Sequence, residues 1–206
     1  HVEAGLRTGD RRQPFPEEIN RRIAGVVADL HFAPTEHSRR NLLKEGVEDR
    51  RIFVTGNPVI DALHSIVDHP VPKETMALLD GYHIAPGEKE LILVTAHRRE
   101  NFGEPIAEIC AGLKEIARHY GERIHLVYPV HMNPNIQEPV YRLLGDIENI
   151  SLMPPMDYLP MVHLMKRAKL VLTDSGGLQE EATALNIPAL VLREVTERPE
   201  GVSAGV

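Results

Sequence analysis

The sequence predicts an α/β fold, with a doubly wound parallel sheet preceded by the tail end of a second unit of the same kind. Two observations carry that expectation. Continuous apolar runs of strand length recur along the chain, as strands covered on both faces require, and amphipathic stretches at helical spacing lie between them. Hydrophobic residues at 42% and charged residues at 26% supply enough apolar surface for a buried core and exclude a disordered chain.

Taken in order, His1 to Leu6 reads as the end of a strand, and Arg7 to Phe15 as a loop. Pro16, followed by Glu17 and Glu18, suits a first helical turn. Ile19, Ile23, Val26, Val27 and Leu30 continue at helical spacing. His31 to Ala33 is a short strand. Thr35 is a suitable cap for a helix that runs to Lys44 and stops at Gly46. Arg51 to Thr55 reads as a strand, Gly56-Asn57-Pro58 as a turn and Val59 to Val67 as a helix. Pro70, Pro72, Gly81, Pro86 and Gly87 crowd the stretch from His69 to Lys89, and the domain boundary is expected there or just before it, around Asn57 to Pro72. Beyond it come five strands, at Leu91–Thr95, His125–Pro129, Ile150–Met153, Lys169–Thr173 and Ala189–Leu192. The helices between them are expected at Pro105–Tyr120, Ile136–Leu144, Tyr158–Lys166 and Leu178–Leu185.

Composition removes several function classes. The net charge of −7 disfavours a nucleic-acid binder that works through a broad basic face. No apolar run approaches the roughly 20 residues that span a bilayer. A single cysteine, Cys110, excludes an internal disulfide framework and a cysteine-based zinc site, which suits a reduced cytoplasmic setting. No HExxH or similar ligand spacing stands out, so no metal is expected. The chain opens on HVEAGL without Met and ends at RPEGVSAGV. It is therefore expected to be an internal piece of a longer protein.

In open α/β sheets ligands bind beyond the carboxyl ends of the strands. Three polar loops qualify: Ala96 to Asn101, Val130 to Asn133, and Asp174 to Gly177. Ser175-Gly176-Gly177 lets backbone approach a ligand closely and leads into a helix N-terminus, a ready phosphate site. The same residues also fit a plain strand–helix turn capped by serine. Glu181 lies one turn further. It suits sugar hydroxyls as an acceptor, or simply complements the helix dipole. His97 with Arg98 and Arg99 suits proton transfer on an anionic substrate, or forms a surface ion-pair cluster. His131 reaches the same edge, or is a half-buried structural histidine. Glu3 lies on an apolar strand where a carboxylate needs a partner, with Arg7 near in sequence. Glu17 reads as a first-turn acid or as half of an acid–base pair.

Taken together and in order, the motifs HVEAGLRT (1–8), PEEINR (16–21), PTE (34–36), TGNPVID (55–61), TAHRREN (95–101), PVHMNP (129–134), TDSGGLQEE (173–181) and TERPE (196–200) resemble the non-hydrolysing UDP-N-acetylglucosamine 2-epimerases over essentially the whole chain. The resemblance implies two Rossmann-like domains of GT-B type, the first only partly present. It divides the chain into 1–60, the last part of the N-terminal domain; 61–89, a linker and crossover; and 90–206, a UDP-binding domain incomplete at its end.

Position by position, the resemblance implies catalytic roles for Glu3, Glu17 and His97. It puts UDP phosphates at Ser175, Gly176 and Gly177, ribose hydroxyls at Glu181 and a further substrate contact at Arg198. Uracil contacts fall on Met156 and Met161, where relatives often carry a glutamine and an aromatic residue. Arg98 and His131 match positions linked in some members to a second, regulatory UDP-GlcNAc. The implied reaction is reversible epimerisation of UDP-GlcNAc to UDP-ManNAc at C2, through elimination and re-addition of UDP, without metal or nicotinamide. It would serve bacterial or archaeal surface polysaccharides in the cytoplasm, in a homodimer when full length, with no nucleic-acid or membrane partner. The competing readings are a GT-B UDP-sugar glycosyltransferase, a hydrolysing relative that releases ManNAc, and a non-catalytic UDP-binding fragment.

Overall fold

The computed structural model describes residues 1–81, 89–193 and 195–205. Contacts divide the chain into two compact units. The first is His1–Asp61 together with Arg193–Val206, and the second is Ala62–Leu192.

The first unit holds helix α1 (Glu17–Val27), strand β1 (His31–Ala33), helix α2 (Glu36–Lys44) and strand β2 (Ile52–Val54). β1 and β2 pair in parallel, with His31 opposite Ile52. The expected strand at His1 to Leu6 is reduced to one parallel bridge between Val2 and Phe32. Phe32 donates to the His1 carbonyl and Ala4 to the Phe32 carbonyl, at 2.8 and 2.9 Å. Extended pairing ends there because Glu3 and Gly5 both take positive φ, 58° and 87°. The turn drives Ala4 and Leu6 inward, where Ala4 joins Ala33, Leu42 and Ile52 in a small core. Thr35 caps α2 as its sequence predicts, its hydroxyl accepting the Ser38 N–H at 3.1 Å. The apolar stripe of α1 is real in spacing but does not face a core. Ile23, Val26 and Val27 are exposed among the described residues, and the buried residue of that helix is Glu18.

The second unit is a five-stranded, all-parallel sheet in the order β5-β4-β3-β6-β7. Its strands are β3 (Glu90–Thr95), β4 (Ile124–Pro129), β5 (Ile150–Met153), β6 (Ala168–Thr173) and β7 (Ala189–Val191). The helices α5 (Glu104–Tyr120), α6 (Pro134–Leu144), α7 (Tyr158–Arg167) and α8 (Gly176–Ala184) connect them. Side chains alternate faces along a strand. Ile92, Val94, Leu126 and Tyr128 accordingly pack on α5 and α6 residues such as Ile106, Cys110, Ile136 and Leu144. Leu91, Leu93 and Val127 meet Val162, Leu164 and Met165 of α7 on the other face. Each expected strand and helix of this unit is present, with ends shifted by a residue or two.

Residues 62–81 also pack into the second unit. Helix α3 (Pro58–Val67) contributes Leu63 and Val67 to its core, and α4 (Lys73–Gly81) contributes Leu79. The division at Asp61 and Ala62 falls inside the Asn57–Pro72 window expected for the boundary, whereas α4 is a helix the sequence pattern does not predict; residues 82–88 of the His69–Lys89 stretch lie outside the described residues. At the other end, residues 193–205 group with the first unit, including α9 (Pro199–Ala204), where the resemblance had assigned 90–206 to one domain.

Candidate active site

In the second unit the chain proceeds outward in one direction from β3 to β5 and in the other from β6 to β7. The strand order therefore reverses between neighbours β3 and β6, and the crevice beyond their carboxyl ends is where such sheets bind ligands. Thr95 and Thr173, the last residues of the two strands, share a buried hydroxyl–hydroxyl hydrogen bond of 2.7 Å. Beyond them stand His97 on one side and Asp174-Ser175-Gly176 on the other.

Asp174 is fully buried. Its Oδ2 accepts the backbone N–H groups of His97 and Arg98 and the Asn101 side-chain amide, at 2.7, 2.8 and 2.8 Å. A loop carrying two arginines is thereby tied to the end of β6. Tyr128 of β4 adds a second anchor, donating its hydroxyl to the Ala96 carbonyl at 2.7 Å. The His131 ring lies nearly parallel to that of His97, with centroids 5.8 Å apart and 17° between planes. Thus the three loops chosen from the sequence do meet at one sheet edge. Burial pushes the His97 pKa below its ordinary value. Arg98 and His131 act in the same direction, and Asp174 and Glu100 oppose it. Neutral imidazole is the favoured state.

Ser175 caps α8, its Oγ meeting the Leu178 N–H at 3.5 Å, while its own N–H is taken by Thr173 Oγ1 at 2.9 Å. Gly176 and Gly177 form the first residues of the helix. Glu181 is buried further along the same helix and accepts the Tyr158 hydroxyl at 2.8 Å. Burial raises its pKa and the neighbouring Glu180 adds to this, while the Tyr158 hydrogen bond works against both. Met156 and Met161 are partly buried and pack against the α7 side of the core.

In the first unit, Glu3 does not pair with Arg7. Arg7 forms a two-point contact with Glu45, at 2.8 Å for each bond, because the Glu3–Gly5 turn points the two side chains to different partners. Glu3 instead receives Arg198 Nη2 at 3.0 Å and the Asn57 amide at 3.2 Å. Arg198 also contacts Glu197, which Arg21 and Arg193 approach at 3.3 and 3.0 Å. Of the Glu17–Glu18 pair, Glu18 is the buried one and binds the Thr8 and Gly9 N–H groups, whereas Glu17 is partly exposed. Buried Glu18 therefore shapes the loop before α1, leaving Glu17 beside it at the helix start.

The whole chain, residues 1–206, matches the family model for UDP-N-acetylglucosamine 2-epimerase. The chain belongs to the UDP-N-acetylglucosamine 2-epimerase family. A Salmonella typhimurium relative of that name is 55% identical over 207 residues, covering 100% of this chain and 55% of the relative. The crystal structure of UDP-GlcNAc 2-epimerase from Neisseria meningitidis, bound to UDP-GlcNAc, matches with a TM-score of 0.93 and 45% identity over 99% of this chain and 55% of that one. The Methanocaldococcus jannaschii enzyme in complex with UDP-GlcNAc and UDP matches at 0.84 and 36%, over 98% and 55%. The chain thus spans about half the length of the curated epimerases it matches.

Asp174, Asn57, Tyr158 and Glu197 received no role from the sequence. Asp174 carried a signal nonetheless: a carboxylate directly after a buried strand must find donors. Among the described residues no group of three or more His, Cys, Asp or Glu side chains is placed to hold a metal ion, and no helix is long and apolar enough to cross a membrane.

Proposed function

We propose that this chain serves the reversible epimerisation of UDP-GlcNAc and UDP-ManNAc at C2. The observation that carries the reading is the crevice at β3 and β6, which combines a capped helix N-terminus with a histidine held beside a buried carboxylate.

The diphosphate is assigned to the α8 N-terminus at Ser175, Gly176 and Gly177, where unpaired N–H groups and the helix dipole favour anionic oxygens. Glu181 takes the ribose hydroxyls, and Met156 and Met161 lie towards uracil. The C2 proton is removed while the C1–O bond breaks, its electron pair leaving with UDP and a C1=C2 double bond forming. UDP then re-adds at C1 as a proton returns to C2 on the opposite face. Holding UDP in place keeps the intermediate from escaping, and the α8 terminus stabilises charge as it develops on the leaving phosphate. Glu3, Glu17 and His97 are assigned the proton-handling roles and Arg198 a substrate contact. Arg98 and His131 are assigned to a second, regulatory nucleotide sugar. The setting is the cytoplasm and the product a surface-polysaccharide precursor, made by a homodimer.

Incubation with UDP-GlcNAc in deuterium oxide tests the reading. Deuterium should appear at C2 of the product, and Glu3→Gln, Glu17→Gln and His97→Asn should each slow turnover while UDP still binds. Product free of deuterium, or full activity in all three variants, overturns it. Because the chain spans about half the length of its relatives, UDP binding is measured separately. Binding without turnover would favour the non-catalytic reading.

A further inference from the structure

The two oxygens of Asp174 are used unequally. Oδ2 takes three N–H donors, from His97, Arg98 and Asn101. Oδ1 is buried and accepts no hydrogen bond from the described residues, although His97 Nδ1 stands 3.4 Å away. A buried carboxylate oxygen without a donor is costly, so such atoms mark either strain or a bond completed during function. Hydrogen bonds that serve catalysis are often long without substrate and tighten when it binds.

We infer that Asp174 is a positioning residue for His97, fixing Nδ1 as the protonated nitrogen and leaving Nε2 as the one that meets substrate. A carboxylate can only accept, and neutral imidazole carries one N–H, so the nitrogen facing Asp174 must be the donor. The backbone N–H groups of residues 97 and 98 fix the loop against the same carboxylate, and the His131 ring stacks against that of His97. The charged and titratable groups around His97 are Asp174 beyond β6, His131 beyond β4, and Arg98 and Glu100 on its own loop. When Nε2 gains a proton the ring becomes an imidazolium, and the adjacent carboxylate offsets that charge. The inference rests on the proposed role of His97 as a proton carrier, but its structural half can be tested without turnover.

The test is ¹⁵N NMR of histidine-labelled protein, with the His97 signals identified by their loss in His97→Gln. The wild type should show the Nδ1–H tautomer at His97. In Asp174→Asn the amide oxygen can still accept the three N–H donors, while the amide NH₂ faces the ring, so the tautomer should invert to Nε2–H. In the same variant kcat should fall on the order of 10²–10⁴-fold, the range for losing a positioned acid–base group, with UDP affinity changed less than about threefold. An Nε2–H tautomer in the wild type, or an unchanged tautomer in the variant, overturns the inference. The wild-type spectrum needs no variant, so a poorly folding Asp174→Asn protein does not shield the inference from refutation. Inversion of the tautomer without loss of rate would instead count against the catalytic role of His97.

Discussion

The Tyr158 hydroxyl, at the start of α7, donates a 2.8 Å hydrogen bond to Oε1 of Glu181 in the body of α8. Burial and this bond together push the tyrosine pKa up to about 12, so the phenol remains a donor at neutral pH. The bond occupies one carboxylate oxygen, and in the proposed site the other meets the ribose hydroxyls. Tyr158 itself is 39% exposed, so Tyr158→Phe removes the donor with little loss of packing. It should weaken UDP binding by roughly three- to tenfold, the worth of one hydrogen bond. Because this bond works against the upward shift of Glu181, its loss should also move the acid-side midpoint of UDP affinity to higher pH. Calorimetry across a pH series would show both effects. An unchanged profile would remove Tyr158 from the site.

Glu181 should trade stability for binding. Its pKa is raised by burial, so the folded state favours the protonated form. That contribution is fully present below the unfolded value of about 4.3 and is lost as pH rises through the raised folded value. Glu181→Gln mimics the neutral form and can still accept from Tyr158. The variant should therefore melt higher than wild type at neutral pH, and the two should converge below about pH 4. Its UDP affinity should fall roughly ten- to a hundredfold, as for loss of a charge-assisted hydrogen bond. Higher stability with intact affinity would show that the carboxylate serves no ligand.

Glu197 has the opposite sign. Burial alone would raise its pKa, but its own backbone N–H and the guanidinium groups of Arg193, Arg198 and Arg21 outweigh burial and hold it at about 2. Stability from the ionised form is present above the unfolded value of about 4.3 and is lost as pH falls through the folded value. Glu197→Gln should cost about 3 kcal/mol at pH 7, since it leaves buried arginines without their counter-charge. In urea titrations that difference should shrink steadily as pH drops from about 4.5 towards 2. A pH-independent difference would mean that packing, not charge, holds this cluster.

Gly5 and Gly46 both have positive φ, 87° and 89°, but differ in surroundings. A Cβ on Gly5 would fall against the Ser38 carbonyl oxygen of α2, whereas one on Gly46 meets open space. Gly46→Ala should therefore cost only its backbone strain, about 1–2 kcal/mol. Gly5→Ala should cost more than about 3 kcal/mol, or prevent folding of the first unit. Equal losses in denaturant titrations would show that α2 yields to the methyl group.

The second unit was legible because its strands are short, apolar on both faces and separated by helices with clear periodicity. The resulting edge put His97, His131 and Ser175 together from sequence alone. What was illegible depended on contacts distant along the chain. Nothing local says that Arg7 passes over Glu3 for Glu45, or that Arg198 comes back from residue 198 to meet Glu3. Helix α4 was hidden because the prolines and glycines flanking it outweighed its weak apolar pattern, although Leu79 is fully buried. The α1 stripe misled for another reason: spacing reports which residues share a face, not what covers that face.

The attachment of the residue 96–101 loop to Asp174 separates scaffold from chemistry. The bonds from residues 97 and 98 come from main-chain N–H groups, which every amino acid except proline supplies. The attachment of the loop at these two positions therefore does not depend on which side chains they carry. A substitution at residue 97 changes the ring while the main-chain frame that carries it is kept.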